Sequence, residues 1–168
     1  MANNSRETLT QEIQNARQQW DEAVAGLDDQ DYLTAEISRG WTLKDVLAHL
    51  AAYLDLNARH LRAVKKRKKL ASMRARNWYQ FNKREAARNK KIALKDARKS
   101  FEHSYKDLLN EMAGITDEQL QEKFPSPWAR QETRTVRLAT VLRGDVSSHL
   151  REHARDVVKW RTNRHAAK

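Results

Sequence analysis

Apolar residues that recur at steps of three and four constrain this chain more than any other feature of its sequence. Leu9, Ile13, Ala16, Trp20, Val24 and Leu27 trace one such stripe, the spacing that lines one face of an α-helix. It predicts a first helix over about 6–27, ended by Gly26 and the acidic run after it. A second stripe runs through Leu43, Val46, Leu47, Leu50, Tyr53, Leu54 and Leu61. Thr42 precedes it, with Asp45 three residues on. That spacing lets a hydroxyl and a carboxylate each accept from the other's backbone N–H, a capping box. A third helix starts somewhere between Trp78 and Ala93 and runs through Phe101, Tyr105, Leu108, Leu109 and Met112 to Gly114. A fourth runs from about Thr135 to Trp160 or beyond. Between these two, Thr116–Leu120 reads as one short capped turn. Phe124–Trp128 reads as a loop, because its two prolines remove backbone donors.

Only 4 glycines and 2 prolines occur in 168 residues, too few turn residues for a many-stranded sheet. Four helices with one apolar stripe each pack most economically as an all-α four-helix bundle, with short extra helical turns in the connections. The length suits a single domain, 1–168, with a flexible tail expected from about residue 162. Cysteine is absent, so the chain itself offers neither disulfides nor a thiolate. No stretch reaches the roughly 18 apolar residues of a membrane span, and the first residues lack the apolar core of a signal peptide. A cytoplasmic protein without membrane contact is the expectation.

Three histidines carry the functional reading. His149 and His153 are four apart in His-Leu-Arg-Glu-His, which puts both imidazoles on one helix face, able to share a metal ion. His49 falls in the middle of the second helix, which a bundle can set against the fourth. Three neutral imidazoles plus water would make an open metal site. The same segment also fits the inverted zinc-protease pattern H-x-x-E-H. That pattern needs a further acidic ligand well downstream, and the residues after His153 offer only Asp156, one turn away. His60, about 16 Å along the helix from His49, reads as a surface or partner-facing residue. His103 reads as a packing residue, His165 as solvated and Glu152 as a surface group. The five tryptophans read mostly as core anchors.

Net charge is +11, and its excess is local. Residues 62–99 hold 16 Lys and Arg against Glu85 and Asp96. Such a region attracts anions of any kind. Arg62, Lys65, Lys66, Arg67, Lys68, Lys69, Arg74 and Arg76 are the candidate anion- or nucleic-acid-binding residues. Trp78, Tyr79 and Phe81 come next in the chain, and aromatics beside cations can stack on bases.

Gly40–Leu56 (GWTLKDVLAHLAAYLDL) resembles the second helix of DinB-like four-helix bundle proteins, where a Trp-Ser/Thr-x-x-Asp/Glu-x-x-x-His pattern opens the helix and supplies a metal ligand. Arg143–Trp160 (RGDVSSHLREHARDVVKW) resembles their last helix, whose His-x3-His supplies two more. Within that superfamily the chain looks most similar to the ClbS/DfsB-like branch. The resemblance implies a divalent metal (zinc, nickel or iron) on His49, His149 and His153, and Trp41, Tyr53, Asn82 and Trp128 beside the pocket. It also implies a homodimer and a small-molecule substrate. The activity it implies is metal-dependent, as a hydrolase of reactive warheads or as a transferase or isomerase using a low-molecular-weight thiol. The alternatives are a basic helical protein that binds nucleic acid through 62–99, and a structural or engineered bundle without activity.

Overall fold

The structure, a computed structural model, describes residues 5–38, 40–70, 78–126 and 134–166. Four long helical rods carry the fold: α1 (Arg6–Val24), α3 (Leu43–Lys65), α5 (Leu94–Ala113) and a terminal rod. The terminal rod joins α7 (Leu138–Leu142), a π-helical turn (Arg143–Ser148) and α8 (His149–Ala166). Packing is closest between α3 and α5 and between α1 and α8. The expected bundle is therefore present. Its connections add α2 (Asp29–Thr34), α4 (Trp78–Asn89) and α6 (Asp117–Gln121).

The apolar stripes meet in one core that includes Leu9, Ile13, Trp20, Leu50, Leu54, Phe101, Leu108, Leu142 and Val157. Trp20 is buried against Phe101, ring centroids 5.9 Å apart. The Arg17 guanidinium covers Phe101 and Tyr105 from outside, 4.7 Å from each ring, a cation–π contact that seals the core edge. On the far side Arg143 pairs with Glu12 at 2.7 Å, tying the terminal rod to α1.

The capping box expected at Thr42/Asp45 forms, and the short capped turn expected at Thr116–Leu120 is α6, itself opened by a Thr116/Gln119 capping box. Other boundaries differ from those the sequence predicts. The first helix ends at Val24; Gly26 takes φ +76° and Asp28 caps α2, so the acidic run starts a helix rather than merely ending one. The region from Trp78 to Ala93 resolves into a separate helix, α4, before α5.

Two short antiparallel ribbons are additions. β1 (Glu36–Ser38) pairs with β2 (Trp41–Thr42), with Gly40 at φ +77° between them. β3 (Lys123–Pro125) pairs with β4 (Thr135–Arg137). Phe124 and Pro125 are thus in a strand where a loop was expected. A two-stranded ribbon leaves its outer edge unpaired, so a proline there need cost no ladder bond. For the same reason the terminal helix starts at Leu138 instead of Thr135. It then continues through Ala166.

Candidate metal centre

α3 starts where the β1–β2 ribbon delivers Thr42 as its cap, with Asp45 N–H donating to Thr42 Oγ1 at 3.2 Å. Two turns in, His49 is 2 % exposed. The ribbon also lays Trp41, half-buried, edge-on to the His49 ring at 4.8 Å. Opposite, the π-helical turn ends at Ser148, and α8 opens with His149 and His153 on the face toward α3. A π-turn adds a residue to the local turn and so resets the phase of the helix after it, each residue being worth about 100° in an α-helix.

The three imidazoles converge. His49 Nε2 lies 3.0 Å from His149 Nε2, and His153 Nε2 lies 3.1 Å from His149 Nε2. Among the described residues this is the group that can hold a metal ion, its ligand atoms all within 4.8 Å of one another. Nitrogens bound to one tetrahedral zinc sit about 3.3 Å apart, given Zn–N of about 2.0–2.1 Å, so little movement would bring them to ligand spacing.

Their protonation fits as well. Burial pushes His153 down to about 4. Burial, then His153 itself, pushes His149 down to about 4, against a smaller opposite pull from Glu152 and the Asp145 backbone. Burial, then the two neighbouring imidazoles, holds His49 well below the usual histidine range. All three rings are therefore neutral at pH 7, the form that binds metals. Nδ1 of each ring is buried and makes no hydrogen bond of good geometry. His153 Nδ1 nonetheless lies 3.4 Å from Asp156 Oδ2, close enough for Asp156 to orient the ring when the nitrogen carries its proton.

Around the histidines sits a shell of aromatic and polar groups. The Tyr53 ring is 4.5 Å from His149 and 4.9 Å from His49. Its hydroxyl donates to Asn82 Oδ1 at 3.0 Å, and Phe81 packs edge-on to it at 5.2 Å. α4 thus lies over Tyr53, with Asn82 and Phe81 as its contacts. Burial, and then the nearby Asp145 carboxylate, push the Tyr53 phenol up, so it stays a donor at neutral pH. Asp145 itself is pushed up to about 6 by burial, partly offset by the Asn57 side chain. Sequence reasoning does not single out Asp145. Its signal is its position, one turn before His149 on the same rod.

Trp128, Arg74 and Arg76 lie outside the described residues. Arg62 is paired with Asp107 and, at 2.9 Å, with Glu111, and Lys65 also pairs with Glu111. These two cations are thus engaged in ion pairs with α5 at the surface. Lys66, Arg67, Lys68 and Lys69 are exposed at the end of α3. Arg67, Lys68 and Lys69 line a cleft of about 520 Å³ with Val64, Gln119, Glu122 and Phe124. That end of α3 is about 24 Å from His49, too far to serve the histidine cluster.

Three expectations are corrected. His60 is 0 % exposed, not a surface residue, because α3 is covered on nearly every side. His103 is exposed rather than packed; it is two residues, about 200°, round the helix from buried Phe101. Trp78 is 55 % exposed instead of a core anchor. Glu152 is exposed as expected, and the His165 side chain is not among those described.

The family model described as the DinB superfamily matches residues 12–157. No curated protein sequence matches. Among solved structures, a mycothiol-dependent maleylpyruvate isomerase superposes with TM-score 0.75 at 16 % identity, over 94 % of this chain and 63 % of its own. The chain thus spans less than two thirds of that isomerase. The Sibling Lethal Factor precursor, DfsB, superposes with TM-score 0.73 at 18 % identity, over 95 % of this chain and 96 % of its own. A Streptococcus pneumoniae protein reaches TM-score 0.77 at 12 % identity, over 96 % of this chain and 93 % of its own. At these identities the structural likeness establishes the fold. Among the described residues, no helix is long and apolar enough to cross a membrane.

Proposed function

Since the chain belongs to the DinB superfamily, we propose that it is a metal-dependent enzyme that hydrolyses, or joins to a thiol, a reactive electrophilic small molecule. The observation that carries this reading is the convergence of the His49, His149 and His153 Nε2 atoms. His49, His149 and His153 would hold a divalent ion, zinc, nickel or iron. Three protein ligands leave coordination positions open, and an ion so held acidifies a bound water or thiol and polarises an electrophile.

The chain's own residues set the conditions for that chemistry. Burial keeps all three rings neutral, so no proton competes for the ligand nitrogens. Asp156 steadies His153. Tyr53, held by Asn82 and kept protonated, presents a phenol O–H beside the ligands; it can donate to an oxygen that gains charge in the reaction. Trp41 and Phe81 supply apolar wall, which limits water around the reacting atoms. With no cysteine in the chain, any thiol must arrive as a cosubstrate. The solved isomerase that shares the fold is named for its mycothiol dependence, which supports testing thiols of that size.

The test is to load the purified protein with zinc, nickel or iron(II) and incubate it with a panel of epoxides, activated alkenes and strained rings, with and without a low-molecular-weight thiol. Consumption that needs both the ion and the histidines supports the reading; thiol dependence decides transfer against hydrolysis. Rates that are equal for wild type and His149→Ala/His153→Ala would refute it.

A further inference from the structure

Helix α4 has two unlike faces. Its inner face serves the metal centre: Asn82 accepts from Tyr53, Phe81 packs on that ring and Asn89 is 1 % exposed. Lys44 locks the helix end to the start of α3 by donating to the Asn89 and Ile92 carbonyls, at 3.1 and 3.3 Å. The outer face is cationic and aromatic. Tyr79, on this face, is 61 % exposed; Trp78, one turn before Asn82 and on the same side of the helix as Asn82, is 55 % exposed at the helix start, the two ring centroids 6.3 Å apart. Lys83, Arg84 and Arg88 are exposed along the helix, and Lys90 and Lys91 continue the series past its end. Tyr79 and Lys83, like Arg84 and Arg88, are four residues apart and so neighbours on the surface. The one acid of the helix, Glu85, is half-buried.

We infer that this outer face binds single-stranded nucleic acid. The cations would hold successive phosphates along the roughly 18 Å of the helix. Trp78 and Tyr79 would stack on unpaired bases, which a duplex does not present. Charge complementarity selects a polyanion. An acidic membrane fits less well, because insertion needs an apolar helix face, and Phe81 on α4 is turned inward onto Tyr53. Lys83, Arg84 and Arg88 are exposed while Phe81 and Asn82 are the α4 residues that touch Tyr53, so the surface and the metal centre can be tested apart.

The experiment is fluorescence anisotropy of a labelled 20-nucleotide single strand, with a duplex of equal length and phosphatidylserine vesicles as further arms. Phosphate contacts by the five cations predict a slope of log K on log salt of about −3.5, hence about a 130-fold loss of affinity from 50 to 200 mM salt. Lys83→Gln/Arg84→Gln/Arg88→Gln should cut that loss to about sevenfold. Trp78→Ala/Tyr79→Ala should weaken the single strand about ten-fold and leave the duplex unchanged. Helicity and metal content, measured for each variant, should stay as in wild type. Retention of binding by His149→Ala/His153→Ala supports an independent surface. The proposal is overturned by any of three results: no binding of the single strand at 50 mM salt, equal binding by the lysine/arginine variant, or vesicles bound in place of oligonucleotide.

Discussion

Replacing His60 by glutamine should flatten part of the protein's acid sensitivity. His60 is 0 % exposed, and burial, assisted by the neighbouring Arg59 charge, lowers it from an ordinary 6.5 to about 4. The folded chain therefore binds fewer protons at this site than the unfolded chain between those two values. Protonation favours unfolding, so stability is intact above pH 6.5 and drains away as pH falls toward 4. Integrating the proton difference gives about 1.3 kcal/mol lost between pH 7.5 and 5.5, and about 3 kcal/mol in full. With a urea slope of about 2 kcal/mol/M, the first figure is a midpoint shift of about 0.6 M. The assay is urea unfolding of both proteins at the two pH values, with chelator present to exclude metal linkage. Any constant cost of the glutamine, and the contribution of every other titrating group, cancels in the comparison of pH dependences. Wild type should lose about 0.6 M more midpoint than His60→Gln. Parallel losses would refute the argument that this imidazole is held neutral by burial.

Other outcomes rest on the same geometry. Trp20→Ala removes the largest buried ring of the core and should cost about 3–5 kcal/mol in denaturant unfolding; a loss under about 1 kcal/mol would place Trp20 outside the core. Tyr53→Phe deletes the 3.0 Å hydrogen bond to Asn82 and should cost about 0.5–1.5 kcal/mol of stability, while lowering turnover more than it lowers metal affinity. A free zinc concentration of 100 times Kd should stabilise the folded state by about 2.7 kcal/mol. For a chain of this size that is a rise in Tm of about 5–10 °C, and it should vanish in His149→Ala/His153→Ala.

The four rods are legible in the sequence because their apolar residues keep the helical period over many turns, and because Thr42/Asp45 and Thr116/Gln119 announce helix starts in strictly local chemistry. The metal centre is legible for a related reason. His149 and His153 are fixed on one face by spacing alone, and His49 needs only the second helix to lie against the last. The ribbons are not legible: strands of two or three residues carry no period, and their pairing depends on partners such as Pro125 and Thr135 that are distant in sequence. The π-turn at Arg143–Ser148 is likewise a response to packing, with no residue pattern of its own. His60 shows the limit of judging by polarity. It faces nearly the same way as His49, and that direction is the interior; the burial of His49 carries the information. Trp78 shows the converse, since a large aromatic at the start of a basic helix is exposed.

The central claim is that His49, His149 and His153 hold one metal ion. Elemental analysis of protein loaded with zinc or nickel and dialysed to remove free ion tests it most directly. The account predicts about one equivalent per chain in wild type and none in His149→Ala/His153→Ala, with both proteins folded. A wild-type protein that stays metal-free under excess ion, or a double variant that keeps its full equivalent, would contradict it.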